Sequence, residues 1–363
     1  MVTNAARGAV VCFPFAGDAV GGSHISALKL IQHIDRERFQ PLILLHDDDG
    51  PVASLFRNED VAFELAPTAE FLNGHGGGFA VRFLLRESRV LSRFLKRRNV
   101  AIVHTNDGRM HASWALSSRL AGAKHVWHHR GDPGARGLRY LAPLVAHRVV
   151  SVSRFAAPRP GLLSAARKCT VVYSPFDTEA ASIDRAAARQ SMLAALGCAP
   201  SAHVLGYFGS IVRRKRPLAF VETIAALRRR APSLELAAPL FGHDLEDLTP
   251  QVQRRACELG VGDCVRLMGF RYPPERWLAG CDVLLVPSVD EPFGRTLIEG
   301  MLLGTPVVAA SSGGNPEALR HGETGFLVPP DDPDAAAELA LRLLTDQRLG
   351  AAITTAARKH AVA

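Results

Sequence analysis

The chain has 363 residues and is 47% hydrophobic, enough apolar material for two cores, so two domains are expected. Its 43 basic and 35 acidic residues leave a net charge of +8, a balance that suits anionic substrates, anionic lipid or nucleic acid. No apolar run approaches the roughly 20 residues of a membrane span, and no RNA- or DNA-binding motif stands out, so nucleic acid is not the expected partner. The six cysteines (Cys12, Cys169, Cys198, Cys257, Cys264 and Cys281) form no C-x-x-C pair, which speaks against a zinc site or a disulfide frame and for a reducing cytoplasm.

Residues 8–15, GAVVCFPF, form a β-branched and aromatic run that reads as a first strand rather than a signal peptide. A glycine loop follows at 17–23, then a helical period over 24–34. Strand, glycine loop and helix make the phosphate-facing start of a Rossmann-like half, although the loop is not G-x-G-x-x-G. A tight turn with no ligand is the competing reading. Residues 41–45 are the second strand, followed by Asp47-Asp48-Asp49-Gly50. Such an acidic cluster can hold a metal; DDDG is equally a solvated turn, and that reading is preferred.

Over 79–98, Arg82, Arg86, Arg89, Arg93 and Arg97 recur at three- and four-residue steps and share one helical face, opposite Phe83, Val90, Leu91, Phe94 and Leu95. Two readings stand side by side: a solvated surface helix, or a face that docks on anionic lipid headgroups. The strand 100–103 ends in His104-Thr105-Asn106-Asp107, at the kind of edge where ligands collect in open α/β sheets. The next strand end is His125-Val126-Trp127-His128-His129-Arg130-Gly131. Consecutive His128 and His129 point to opposite sides of a strand, so joint metal ligation is not expected. A strand at 148–152 precedes Ser153-Arg154-Phe155, expected to open a helix, and the run 169–173 leads out of the first domain at Ser174-Pro175. The expected domains are 1–174 and 175–363.

The second half starts with an Ala-rich helix at 183–196. Strands are expected at 203–207, 234–241 and 264–269, and helices at 217–230, 274–278, 333–344 and 348–360. The most informative stretch is 286–330. It reads strand (283–287), loop, helix (296–303, stopped by Gly304 with Pro306 beyond), strand (306–310) and glycine loop. Asn315-Pro316-Glu317 then reads as N-cap, first-turn proline and first-turn acid. Between Glu291 in the loop and Glu299 on the helix lie the amides of Phe293, Gly294, Arg295 and Thr296, a helix start of the kind that attracts phosphate. Carboxylates accept hydroxyls well. An anion cradle with two hydroxyl readers on one short element is the footprint of a sugar nucleotide.

EPFGRTLIE (Glu-x7-Glu), the P-V-V-A strand, the G-G-x-P-E loop and H-G-E-T-G-F-L-V-P-P, in that order, closely resemble the C-terminal domain of the retaining GT-B glycosyltransferases of the large family 4 group. The resemblance implies an α/β GT-B fold, two Rossmann-like domains facing each other across a deep cleft, with the acceptor on the first and the nucleotide sugar on the second. It implies a transferase moving a sugar, with retention, from a UDP or GDP type donor to a hydroxyl of a glycan or lipid-linked acceptor, in cell-surface polysaccharide or glycolipid synthesis. Its place would be the cytoplasm or the inner face of the plasma membrane, reached through 79–98. Glu299 would take the ribose hydroxyls, and Glu291 the sugar hydroxyls and the orientation of the ring. Arg214, Lys215, Gly21, Gly22 and the amides of Phe293, Gly294, Arg295 and Thr296 would hold the diphosphate. Phe270 would lie by the base, and a basic residue at the 128–130 edge near the sugar. His129 or Arg130 is the expectation there, with His128 the core residue. The reaction implied is front-face attack, with no carboxylate nucleophile, no metal and no cofactor.

Four positions depart from the pattern: Ser210 stands for its arginine, Arg216 for its glycine, and Ser174-Pro175 for Asn-Gly. A final helix crossing back onto the first domain is expected of the pattern, and the chain stops at Ala363 without one. Two rivals remain, a GT-B-shaped sugar-nucleotide epimerase and a non-catalytic protein that binds a sugar nucleotide or glycan.

Overall fold

The computed structural model describes residues 8–18, 20–72, 82–84, 86–178 and 183–362. The chain divides into two units, Met1–Pro175 and Phe176–Ala363. The first is built on a parallel sheet of β1 (Ala9–Phe15), β2 (Phe39–Leu45), β3 (Glu64–Leu65), β4 (Val100–Thr105), β5 (Lys124–His129), β6 (Arg148–Ser151) and β7 (Cys169–Val171), in the order β3-β2-β1-β4-β5-β6-β7. The order reverses between β1 and β4, the point at which such sheets open a crevice at their C-terminal edge. Side chains of β1 alternate between two cores. Val11, Phe13 and Phe15 pack with Ala27, Leu28, Ile31 and Phe56 on one face. Cys12 packs with Leu91, Leu95 and Trp114 on the other. Helices on both faces explain why the strand reads as one continuous apolar run.

The helix Glu87–Arg97 separates its faces as its period requires: Leu91 and Leu95 are buried, and Arg89, Arg93, Lys96 and Arg97 are exposed. Arg82 pairs with Glu70 at 2.7 Å and Arg98 with Glu64 at 2.6 Å. Residues 79–81 and 85 of the expected helix lie outside the described residues. Ser153-Arg154-Phe155 forms a turn, not the expected helix. Ser153 Oγ accepts the Ala156 N–H at 2.9 Å. Pro158 and Pro160 follow, where a helix would lose donors and the residues before each proline are pushed to extended backbone.

The second unit carries β8 (His203–Phe208), β9 (Leu236–Phe241), β10 (Val265–Gly269), β11 (Val283–Val286), β12 (Val307–Ala310) and β13 (Phe326–Val328), all parallel, in the order β10-β9-β8-β11-β12-β13. Strand neighbours again face two cores. Val204 and Ala237 pack with Met192, Leu193 and Cys281, while Leu205 and Ala238 pack with Phe220, Ile224 and Ala337. The last helix, Gln347–Val362, lies against Arg295–Leu302 and Pro333–Thr345 of its own unit. Two Rossmann-like parallel sheets are thus present, as the sequence led one to expect.

Candidate functional site

The loop after β11 is set by two close backbone approaches. Gly294 has φ 71 and precedes the helix Arg295–Leu302; a Cβ there would sit 2.7 Å from Asn315 Oδ1. Gly313 has φ 60, and its Cβ would meet the Glu291 backbone nitrogen at 2.5 Å. Only glycine combines that conformation with that space. The next residue, Gly314, donates its N–H to the Glu291 carbonyl at 2.7 Å. The glycine loop therefore acts as a backbone clamp on Glu291. Gly314, not Asn315, caps the short helix Asn315–Ala318. The Asn315 side chain turns back instead, and its Nδ2 donates to the Ala310 carbonyl at 2.9 Å. It is wholly buried and holds the end of β12 under the loop.

The clamped carboxylate meets two cations. Glu291 Oε2 lies 2.7 Å from Arg214 Nη1 and 2.8 Å from Lys215 Nζ. Both cations come from the turn Arg213–Lys215 after β8, and the Val289 N–H donates to the Arg214 carbonyl at 3.0 Å, tying turn to loop. Burial pushes the Glu291 pKa up. The charges of Lys215 and Arg214 outweigh it, and the group stays ionised, with its pKa below the ordinary value. Arg216, where the resembled pattern has glycine, sits at φ 54 and keeps that conformation while its guanidinium reaches the Pro330 carbonyl and Asp331.

Glu299 is placed differently. Its carboxylate pairs with Arg295 Nη2 at 3.1 Å one turn earlier. Burial raises its pKa and Arg295 offsets part of the rise. A third of the side chain still reaches solvent, which limits the shift. Arg295 also lies over the Phe176 ring at 4.4 Å. The Phe293 side chain is buried beside Phe176, so only its backbone remains for a ligand. Phe270 is 53% exposed at the end of β10 and stacks on His243 with ring centroids 4.5 Å apart. His243 was not singled out in the sequence, although it follows Gly242 at the end of β9, a position of the same kind.

In the first unit, Gly21 caps the helix Gly22–His33 and both glycines are exposed. A Cβ on Gly21 would meet nothing within 4 Å, so there is room in front of this helix start. The glycine loop is anchored by a bidentate pair between Asp18 and Arg109, which the sequence reading missed. The 128–130 edge does not present three equivalent groups. His129 is buried, with Nε2 2.9 Å from the Asp132 carbonyl of its own turn. Arg130 is partly buried, with Nη1 3.3 Å from Ser174 Oγ and Nη2 3.4 Å from His128 Nδ1. His128 in turn stacks on His104, Nδ1 to Nε2 3.1 Å.

Behind them Thr105 Oγ1 bridges His111 and His125 at 2.6 and 2.9 Å. Burial holds these imidazoles neutral. His104 and His125 are lowered to about 3 and His46 to about 4, and His111 and His128 also lie well below the ordinary value. Among the described residues no group of three or more His, Cys, Asp or Glu is arranged to hold a metal ion.

Residues 202–346, which lie in the second unit, match the family Glycosyl transferases group 1. Curated relatives include two proteins named D-inositol 3-phosphate glycosyltransferase. That of Corynebacterium jeikeium is 36% identical over 168 residues, 44% of this chain and 39% of the relative. That of Corynebacterium efficiens is 34% identical over 226 residues, 61% of this chain and 50% of the relative. The aligned part spans half or less of the length of these relatives. Among solved structures, Anabaena HepE with UDP and glucose aligns with a TM-score of 0.81 at 23% identity, over 97% of this chain and 94% of that one. Sucrose-phosphate synthase of Thermosynechococcus elongatus aligns at 0.72 and 18%, over 98% and 94%. These likenesses establish the fold, two parallel-sheet Rossmann-like units of the GT-B kind.

Proposed function

We propose that the chain is a retaining, metal-independent glycosyltransferase of the hexosyltransferase type, using a nucleotide-diphosphate sugar and a hydroxyl acceptor. One observation carries the reading: a largely buried, ionised Glu291, its side chain 12% exposed, held between Arg214 and Lys215 at 2.7 and 2.8 Å, beside the start of the helix Arg295–Leu302. One carboxylate faces two cations. Lys215 has three donors and Arg214 five, so donors beyond those used on Glu291 are available to diphosphate oxygens.

As the bond from the anomeric carbon to the phosphate oxygen breaks, its electron pair leaves with the diphosphate and the sugar becomes oxocarbenium-like. Arg214, Lys215 and the first-turn amides stabilise the departing charge. The acceptor oxygen forms its bond to the anomeric carbon on the same face, and its proton passes to the departing phosphate oxygen. Glu291 accepts sugar hydroxyls, Glu299 the ribose hydroxyls, and the Phe270–His243 stack lies by the base. Gly21 and Gly22 and the Arg130 edge keep, in the first unit, the roles that the resemblance gives them.

UDP is the donor base to test first, since HepE holds it. For the acceptor, the names of the curated relatives favour a phosphorylated polyol, here an inositol phosphate, over a glycan or lipid-linked acceptor. A lipid-linked acceptor would go with peripheral membrane contact through 79–98. The experiment is a transfer assay with UDP-glucose and other sugar nucleotides in EDTA, against inositol phosphate, oligosaccharide and lipid-linked acceptors, with the anomeric configuration of the product read by NMR. A product of retained configuration, formed in EDTA, is expected. Donor binding with neither transfer nor slow donor hydrolysis would replace this reading with a non-catalytic one.

A further inference from the structure

Charge is spread unevenly along the chain. Residues 1–175 hold 23 basic and 13 acidic side chains, and residues 176–363 hold 20 and 22. The excess is concentrated further in residues 119–168, with ten basic residues and one acid, Asp132. This stretch builds the β5-β6-β7 side of the first sheet. Arg119, Lys124, Arg139, Arg148, Arg159 and Arg167 are exposed on it. His147 lies among them: burial, then the charges of Lys168, Arg119, Lys124 and Arg148, lower its pKa.

The same stretch exposes apolar side chains. Leu162 is fully exposed and Leu163 is 79% exposed, with Leu144 and Tyr140 also well out in solvent. Their two segments rest on one small core, where Ala165 packs with Leu138, Ala142, Ala146 and Trp127. Lys168 Nζ pins them together through the Pro143 and Ala146 carbonyls at 2.8 and 3.0 Å. One exposed leucine would be ordinary. Two in a row at a Pro-Gly loop tip, among so many cations, combine the apolar and electrostatic signals of an interfacial anchor.

We propose that this corner of the first unit docks on an anionic bilayer, with Leu162 and Leu163 entering the boundary between headgroups and acyl chains and the surrounding arginines and lysines pairing with lipid phosphates. Nucleic acid or an acidic protein would use the cations alone and leave the leucines without a role. The exposed face of Glu87–Arg97 supplies Arg89, Arg93, Lys96 and Arg97, charge without such an anchor. The proposal stands apart from the transferase reading, because vesicle binding needs no donor or acceptor.

The test is co-sedimentation of the full chain with phosphatidylcholine vesicles, with and without phosphatidylglycerol, at physiological salt. Binding that requires phosphatidylglycerol is expected. Leu162→Ser/Leu163→Ser should weaken it about tenfold or more, and Arg159→Glu/Arg167→Glu by a similar factor. Tryptophan in place of Leu162 should shift its emission to the blue on anionic vesicles. Both leucines lie at the surface, and the thermal midpoint of each variant reports its folding. The proposal is overturned by a wild-type chain that stays in the supernatant, or by a leucine variant that binds as well as wild type. Loss of binding in Arg89→Glu/Arg93→Glu alone, or L162W emission that does not move, overturns it equally.

Discussion

The two units share a parallel, doubly wound architecture and treat their buried polar groups in opposite ways. In the second, a largely buried carboxylate is kept charged: Glu291 sits between Arg214 and Lys215. In the first, buried imidazoles are kept neutral, passing hydrogen bonds among Thr105, His111 and His125 and stacking His104 on His128. Ten of the 14 histidines lie in the first unit. A site built to meet negative charge needs cations held in place by an anion. A core that merely fills the edge of a sheet needs groups that do not ionise there.

The comparison is sharpened most by removing the anion. Glu291→Ala should lower transfer turnover by about 10²–10³-fold, the size of an electrostatic contribution made in the transition state, as a kcat measurement at saturating donor would read. Near-wild-type turnover would detach Glu291 from the chemistry and leave the two units differing in packing only.

Acid should break the first unit before the second. The folded-state pKa values of His104, His125 and His46, about 3, 3 and 4, lie below the unfolded value. As pH falls below about 6.5 the unfolded chain takes up protons that the folded one refuses, so stability declines between about 6.5 and 4. Each group contributes up to about 1.4 kcal/mol per pH unit in that window. The depressed Glu291 loses its contribution only as pH falls through a value lower than the ordinary carboxylate range. Trp114 and Trp127 are buried in the first unit, and Trp114 Nε1 donates to His46. Their fluorescence should report a transition on acidification ahead of ligand-protected unfolding of the second unit. A pH-independent midpoint from 7 to 5 would contradict the neutral cluster.

Smaller effects probe the loop geometry. Gly294→Ala places a Cβ at φ 71 against Asn315, and should destabilise by about 1–3 kcal/mol in a denaturant titration. Arg216 gives the finest comparison. Alanine there keeps the left-handed strain and loses the ties to Pro330 and Asp331, whereas glycine loses the ties and the strain together. Arg216→Gly should therefore be more stable than Arg216→Ala by about 1 kcal/mol. Equal stabilities would show that the left-handed turn costs nothing at this position.

Local signals carried the second unit. Gly304 and Pro306 mark the end of the helix, β-branched runs mark β11 and β12, and the ordered string from Glu291 to Pro330 carries the resemblance. What Gly313 and Gly314 do could not be seen there, since a loop pressing on the Glu291 backbone is a contact between segments about 22 residues apart. The strand orders and the Arg109–Asp18 anchor are long-range in the same way. The helix Gly108–Ala121 was legible and went unread: Asp107 caps it, accepting the Arg109 and Met110 N–H groups, and Met110 and Trp114 follow at helical spacing. At the 128–130 edge, strand alternation placed neighbouring side chains on opposite faces. It gave no sign that His129 would turn to the Asp132 carbonyl, a bond made by the turn after the strand.

The central claim is that Arg214 and Lys215, poised on Glu291, hold the diphosphate of a nucleotide donor. Titration calorimetry of UDP into the wild-type chain and Lys215→Met, both in EDTA, tests it directly. Binding to the wild type and an affinity lower by about tenfold or more in the variant are predicted, as for loss of a charged hydrogen bond. Equal affinities in the two proteins, or wild-type binding that disappears in EDTA, would contradict it.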